Sequence, residues 1–259
     1  MGGERIGVVN SDGSGLTPLT VNLPAAALVA ESPVWSPDGQ TIVFGRNGLY
    51  RKAVHGSGEE QILGELASAV RRTWTTALSP MDWSRDGRLI LFRDTNPETN
   101  IDLWVLPVTP EGKPVPGTKP TPYLRTPFNE TSGRFSPEPI PHWVAYQADG
   151  TGRYEIYIAS FPEPKMRLQI TSGGGTQPQW SGDGRELYYT SADGKLMAVG
   201  LTLQGGSLQA STPRQLLQVN RSSYQVAPDG KRILVYQREP NSDPLDLAWI
   251  STEPMPPKI

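Results

Sequence analysis

The chain has 259 residues, with 24 Lys and Arg against 26 Asp and Glu, a net charge of −2 and no cysteine. That length is enough for one all-β domain with its own core, in which about 70–75% of the unfolded chain's surface is buried. The basic residues are scattered, which argues against nucleic acid or an anionic membrane surface as partner. The missing thiols exclude disulfides and zinc–thiolate sites. No apolar run approaches a membrane span, the longest of note being residues 25–30, so membrane insertion is not expected. Residues 1–5 are not followed by the apolar stretch of a signal peptide, so the expectation is a cytoplasmic protein or one whose real N-terminus has been cut away. Glycine (27) and proline (26) fit many short strands joined by turns.

In chain order, residues 5–10 and 16–20 read as two strands around a turn at 11–15, a partial unit spanning 5–20. After them one pattern recurs. Trp35-Ser36-Pro37-Asp38-Gly39 precedes Thr41-Ile42-Val43-Phe44, and Trp83-Ser84-Arg85-Asp86-Gly87 precedes Leu89-Ile90-Leu91-Phe92. Phe135-Ser136-Pro137-Glu138 is a worn copy before Trp143-Val144-Ala145-Tyr146. Trp180-Ser181-Gly182-Asp183-Gly184 precedes Leu187-Tyr188-Tyr189, and Val226-Ala227-Pro228-Asp229-Gly230 precedes Ile233-Leu234-Val235-Tyr236. The acidic positions 38, 86, 138, 183 and 229 lie 48, 52, 45 and 46 residues apart, the mark of an array of like units.

Each copy reads as strand, tight turn, strand. Proline presets φ, aspartate bonds its own backbone, and glycine takes positive φ without steric cost. Turn chemistry therefore accounts for these acids, and they are not expected to be metal ligands or catalytic acids. Trp35, Trp83 and Trp180 are expected in equivalent positions, each largely buried.

The units run 33–65, 81–126, 133–171, 177–219 and 222–252. The first four each hold four strands: 33–36, 41–46, 48–54 and 59–65; 81–84, 89–94, 101–108 and 122–126; 133–136, 142–148, 154–161 and 167–171; 177–181, 186–191, 195–203 and 213–219. The fifth holds 222–227, 232–239 and 245–252 and lacks a fourth. Residues 109–121 read as an exposed loop. Four antiparallel strands per unit without helices is the pattern of a β-propeller blade. The expected fold is all-β: a single propeller domain over residues 1–259 with five recognisable blades plus a half unit, five- or six-bladed. In one closure scheme residues 16–20 supply the fifth unit's missing outer strand.

The Trp-Ser-Pro-Asp-Gly turn followed by an Ile/Leu-x-Phe/Tyr strand resembles the TolB-type propeller repeat, a relative of WD40-like repeats, over residues 5–252. It is also similar to propellers appended to bacterial serine/threonine kinases and to those capping prolyl-oligopeptidase-type hydrolases. The resemblance implies a bacterial protein and a periplasmic or extracytoplasmic location. TolB-type propellers typically have six blades. The sequence has no kinase Gly-rich loop, no His-Arg-Asp motif and no Gly-x-Ser-x-Gly elbow. Any such catalytic domain would lie outside these residues.

Little in the chain calls for chemistry. The two histidines, His55 in a Gly-rich turn and His142 near a strand start, fall in different units, so neither a two-His metal site nor a Ser-His-Asp arrangement is expected. No catalytic residue, metal site or cofactor is assigned. Trp104, Trp143 and Trp249 read as blade core. In a propeller the links entering each innermost strand gather at one mouth of the central channel. Here those links carry Glu31, Arg72, Trp74, Asn129, Glu130, Arg134, Gln177, Gln179, Arg221 and Tyr224. This mixed, aromatic-bearing set is what a recognition surface uses, although ordinary solvated loops have the same composition. The expected function is non-catalytic binding of a protein or peptide partner through Glu31, Arg72, Trp74, Arg134, Gln177 and Tyr224. The alternatives are a propeller enzyme acting on a glycan, as lyase or hydrolase, and a gating cap for a fused catalytic domain.

Overall fold

A computed structural model of the chain describes residues 6–10, 14–20, 31–46, 48–55, 61–63, 78–219, 223–227, 232–237 and 246–251. These residues form twenty-two strands and no helix. The chain divides into two compact units, Met1–Glu130 and Thr131–Ile259.

The first unit opens with a hairpin of β1 (Gly7–Val8) and β2 (Thr17–Pro18). A four-stranded antiparallel sheet follows: β3 (Glu31–Trp35), β4 (Thr41–Gly45), β5 (Leu49–Ala53) and β6 (Gln61–Ile62). The next has β7 (Ser79–Trp83), β8 (Leu89–Asn96), β9 (Asn100–Pro107) and β10 (Thr121–Leu124) in the same order. The second unit carries β11 (Glu130–Phe135), β12 (Trp143–Ala148), β13 (Glu155–Ser160) and β14 (Arg167–Gln169). Its next sheet has β15 (Gly175–Trp180), β16 (Glu186–Ser191), β17 (Lys195–Gln204) and β18 (Ser207–Ala210), with β19 (Arg214–Gln218) also on β17. A three-stranded sheet of β20 (Tyr224–Val226), β21 (Arg232–Gln237) and β22 (Asp246–Ser251) completes it. The repeating, blade-like meander is thus present as expected. Residues 7–8 and 17–18 pair as the N-terminal hairpin read from the sequence.

The recurring acids are turn residues. Ser36 Oγ donates to Asp38 Oδ1 at 2.5 Å and accepts from the Thr41 N–H at 2.9 Å, while the Gln40 N–H donates to the same carboxylate at 3.0 Å. Ser84 and Asp86 repeat this with Arg88 and Leu89, and Ser181 and Asp183 repeat it with Arg185 and Glu186. Gly39, Gly87 and Gly184 close the turns at φ 68°, 74° and 72°. In the worn copy, Ser136 Oγ accepts from both His142 and Trp143 N–H groups.

The innermost strands β3, β7 and β15 begin earlier than the sequence indicated, and each is bulged. Register slips between Glu31 and Val34, between Pro80 and Asp82, and between Thr176 and Gln179. Ser32, Ser132 and Gln177, each three residues before the aromatic anchor, take φ of 55°, 54° and 57°. An extra, left-handed residue destroys the period-2 alternation by which a strand is recognised, and re-aims a side chain. A second departure lies in the fourth unit. Gly205 and Gly206 turn β17 back into β18, a hairpin extension absent from the sequence reading.

The anchors occupy equivalent registers, Trp35 opposite Ile42, Trp83 opposite Ile90 and Trp180 opposite Leu187. Their burial differs: Trp83 is 6% exposed and Trp180 9%, but Trp35 is 47% exposed, against expectation. The indole turns toward the preceding sheet. Trp83 packs with Val43, Leu49 and Leu63 of β4–β6 and its neighbours, and Trp180 with Ala145, Ile156 and Ile158 of β12 and β13. Among the described residues, those that precede β3 form the β1–β2 hairpin, and its Ile6 and Leu19 cluster with Ile42 and Phe44 rather than with the indole. The loop after β9 is not simply exposed either. Gly112, at φ 71°, lies against the Trp83 ring, where a Cβ would stand 2.5 Å from Cη2, and Arg51 Nη1 donates to the Glu111 carbonyl.

Candidate functional site

The bulge in β15 is wired into its neighbours within the second unit. The Gln177 N–H donates to Gln147 Oε1 of β12 at 2.9 Å. The Tyr224 hydroxyl, from β20, donates to the Gln177 carbonyl at 2.5 Å. Gln179 spans the same gap with two bonds: its Nε2 donates to the Tyr224 carbonyl at 2.6 Å, and its Oε1 accepts from the Val226 N–H at 2.9 Å. Trp180 Nε1 donates to the Arg134 carbonyl at 3.1 Å, fixing the backbone of β11 at that point. The backbone N–H and C=O of the bulge residue Gln177 are therefore satisfied by side chains from the two neighbouring sheets.

Arg134 is half-buried, and no carboxylate or hydrogen-bond acceptor among the described residues takes its guanidinium. Its charge reaches the Tyr224 phenol. Burial pushes that phenol's pKa well above its usual 10, the Arg134 charge pulls it down, and Tyr188 raises it further. The Gln177 carboxamide oxygen is closed off from water and accepts no hydrogen bond. The arrangement thus offers one unpaired cation beside a polar framework already held in place.

Of the six residues expected at the mouth, Arg134, Gln177 and Tyr224 come together here. Tyr224 is only 6% exposed, however, so it is a strut rather than a free contact residue, and its loss would weaken the fold. Glu31 begins β3 and pairs with Gly45 in the first unit. Arg72 and Trp74 lie outside the described residues, as does Arg221. Gln179 and Glu130 are buried, Glu130 accepting from Thr126 Oγ1. Gln147 was missed. The signal available was a polar residue inside the otherwise apolar run 143–148, which a fully buried strand tolerates only when the residue is hydrogen-bonded. His55 follows β5, and His142 precedes β12. Among the described residues no three His, Cys, Asp or Glu stand close enough to hold a metal ion.

No family model matches the chain, and no curated protein matches it by sequence. Solved structures do. TolB from Acinetobacter baumannii superposes with a TM-score of 0.66 at 16% identity, over 96% of this chain and 57% of that one. The putative TolB from Agrobacterium tumefaciens gives 0.63 at 20% identity, over 96% and 84%. An oligogalacturonate lyase in complex with manganese gives 0.63 at 12% identity, over 95% and 68%. The fold is therefore an all-β propeller of the TolB kind. The chain spans little more than half the length of the Acinetobacter protein.

Proposed function

We propose that this chain is a non-catalytic recognition module that holds a protein or peptide partner at the inner-strand ends of its sheets. The observation that carries the reading is Arg134. A half-buried guanidinium without an anionic partner is an incomplete interaction, and a bidentate carboxylate completes it. The framework of Gln147, Gln177, Gln179 and Tyr224 positions it before any partner arrives, which lowers the ordering cost of binding. Glu31, Arg72 and Trp74 belong to the proposed surface on the sequence argument. A periplasmic or extracytoplasmic location, and a fused catalytic domain in the parent protein, remain part of the proposal.

The test is affinity capture from the source organism's lysate, identification of the bound protein, and calorimetry with the purified partner. Arg134→Ala should weaken binding by about 1–2 kcal/mol. Unchanged affinity would sink the reading. A second reading, a glycan-cleaving enzyme, draws on the likeness to the oligogalacturonate lyase, since an unpaired arginine also suits a uronate carboxylate. Turnover of oligogalacturonate by the purified chain with manganese, lost in a single-residue variant, would establish it over the first.

A further inference from the structure

The tip of the β8–β9 hairpin, in the first unit, places two carboxylates opposite each other. Asp94 and Asp102 are direct cross-strand partners, so their Cβ atoms lie about 4.5–5.5 Å apart on one face of the sheet. Both are buried, and Asp102 is 0% exposed. Thr99 Oγ1 donates to Asp102 Oδ2 at 2.7 Å, and Arg125 Nε stands 3.7 Å from that same oxygen. Asp102 Oδ1 is closed to water and accepts no hydrogen bond. Arg125 is itself partly in solvent and shares its charge with Glu98, 3.5 Å from its Nη2. Glu130, also buried, accepts from Thr126 Oγ1 through Oε1 alone. The charged groups around Asp102 among the described residues are thus Asp94 from β8, Arg125 beyond β10, and Glu98 in the hairpin turn behind Arg125.

β13 meets the same problem differently. Glu155 is also buried at the end of its ladder with β12. Its oxygens accept from the Thr171 hydroxyl at 2.5 Å and the Gly174 N–H at 3.0 Å, with Arg153 3.8 Å away. That carboxylate is solvated by the protein. Asp102 has half of such a shell, and faces another carboxylate across the strand. A buried, half-solvated charge beside a like charge is relieved by taking up a proton.

We propose that Asp102 keeps a proton in the folded protein, carried on its unpartnered Oδ1 across the strand from Asp94. Burial chiefly holds the Asp102 carboxyl above the usual aspartate range, against the Thr99 hydrogen bond and Arg125, and the Asp94 charge adds to the rise. The consequence is a pH-sensitive corner. A proton bound by the folded chain but not by the unfolded one stabilises the fold below the unfolded pKa, and that stabilisation is lost as pH rises through the raised folded value. The corner is tied to the segment leading into β11, since Asn100 Nδ2 donates to the Pro127 carbonyl at 3.0 Å and Arg125 belongs to both. Losing the proton therefore alters the seating of residues 125–130.

The test is carbon-13 NMR of the aspartate carboxyls in the full chain, with Asp102→Asn assigning the resonance. The expected result is one aspartate that titrates above the ordinary ~3.9, disappears in Asp102→Asn, and moves back toward that value in Asp94→Asn. In melting experiments Asp102→Asn should match wild type in acid and exceed it at neutral pH and above. An Asp102 resonance titrating at or below the ordinary value would overturn the proposal, as would a stability difference independent of pH. Stabilisation of wild type, but not of Asp102→Asn, by magnesium, calcium or manganese would place a cation where the proton is proposed and overturn it equally.

Discussion

Trp35 and Trp83 share sequence context and register but not surroundings, so paired truncations isolate what the preceding sheet contributes. Trp83 is nearly enclosed, packing with Val43, Leu49, Leu63, Leu78, Ile90, Phe92, Leu106 and Val108. A buried indole removes about 150–250 Å² from water, which at about 25 cal/mol per Å² is about 4–6 kcal/mol at most. Measured truncations of buried aromatics cluster at about 3–5 kcal/mol. Trp83→Ala should fall in that range. Trp35 keeps 47% of its surface exposed, so Trp35→Ala forfeits about half, roughly 2 kcal/mol. Urea unfolding followed by far-UV circular dichroism reads both as midpoint shifts, about 1–2 M for Trp83→Ala and under ~1 M for Trp35→Ala. Equal losses, or a larger loss at Trp35, would refute the account of how the anchor is covered.

Other outcomes follow from single contacts. Gly45→Ala should cost about 1–3 kcal/mol, because its Cβ would run into the Leu78 carbonyl where two sheets approach, and thermal melting reads the loss directly. Hydrogen bonds, from Ser36 and Gln40 to Asp38 and from Ser181 and Arg185 to Asp183, hold these carboxyls below the usual range. Their contribution is present above the unfolded pKa and lost as pH falls through the lowered folded value. Acid melting of Ser181→Ala should thus show a shallower pH dependence than wild type, and an identical slope would contradict the turn assignment. Tyr224→Phe deletes the hydrogen bond to Gln177 and should cost about 1 kcal/mol. In wild type that phenol should ionise only as the chain unfolds in alkali, so spectrophotometric titrations of the two proteins should coincide until unfolding begins.

The blade plan was legible because turn chemistry and strand alternation are local. Ser-x-Asp-Gly closes its own hydrogen bonds within five residues, and Ile42-Val43-Phe44 or Leu89-Ile90-Leu91-Phe92 declares a buried strand without outside help. The bulges at Ser32, Ser132 and Gln177 were not legible, because nothing in those side chains announces positive φ and the slip erases the alternation. Trp35 misled for a related reason: its local context is that of Trp83, while burial depends on which sheet stands beside it. At the candidate site, position in the repeat picked out Arg134, Gln177 and Tyr224, which lie near one another in the second unit. It could not separate roles, since Tyr224 is spent on the fold and Arg134 is not. The polar Gln147 and the opposed Asp94 and Asp102 become meaningful only once strand pairing is known.

The claim that Arg134 is the cationic contact of a recognition surface is tested most directly by calorimetric titration of the captured partner into wild-type chain, Arg134→Ala and Arg134→Lys. The account predicts about a tenfold or greater loss of affinity for Arg134→Ala. It predicts partial retention for Arg134→Lys, with the charge kept but the bidentate fork gone, and melting temperatures unchanged across the three. Equal affinities for all three proteins would contradict it.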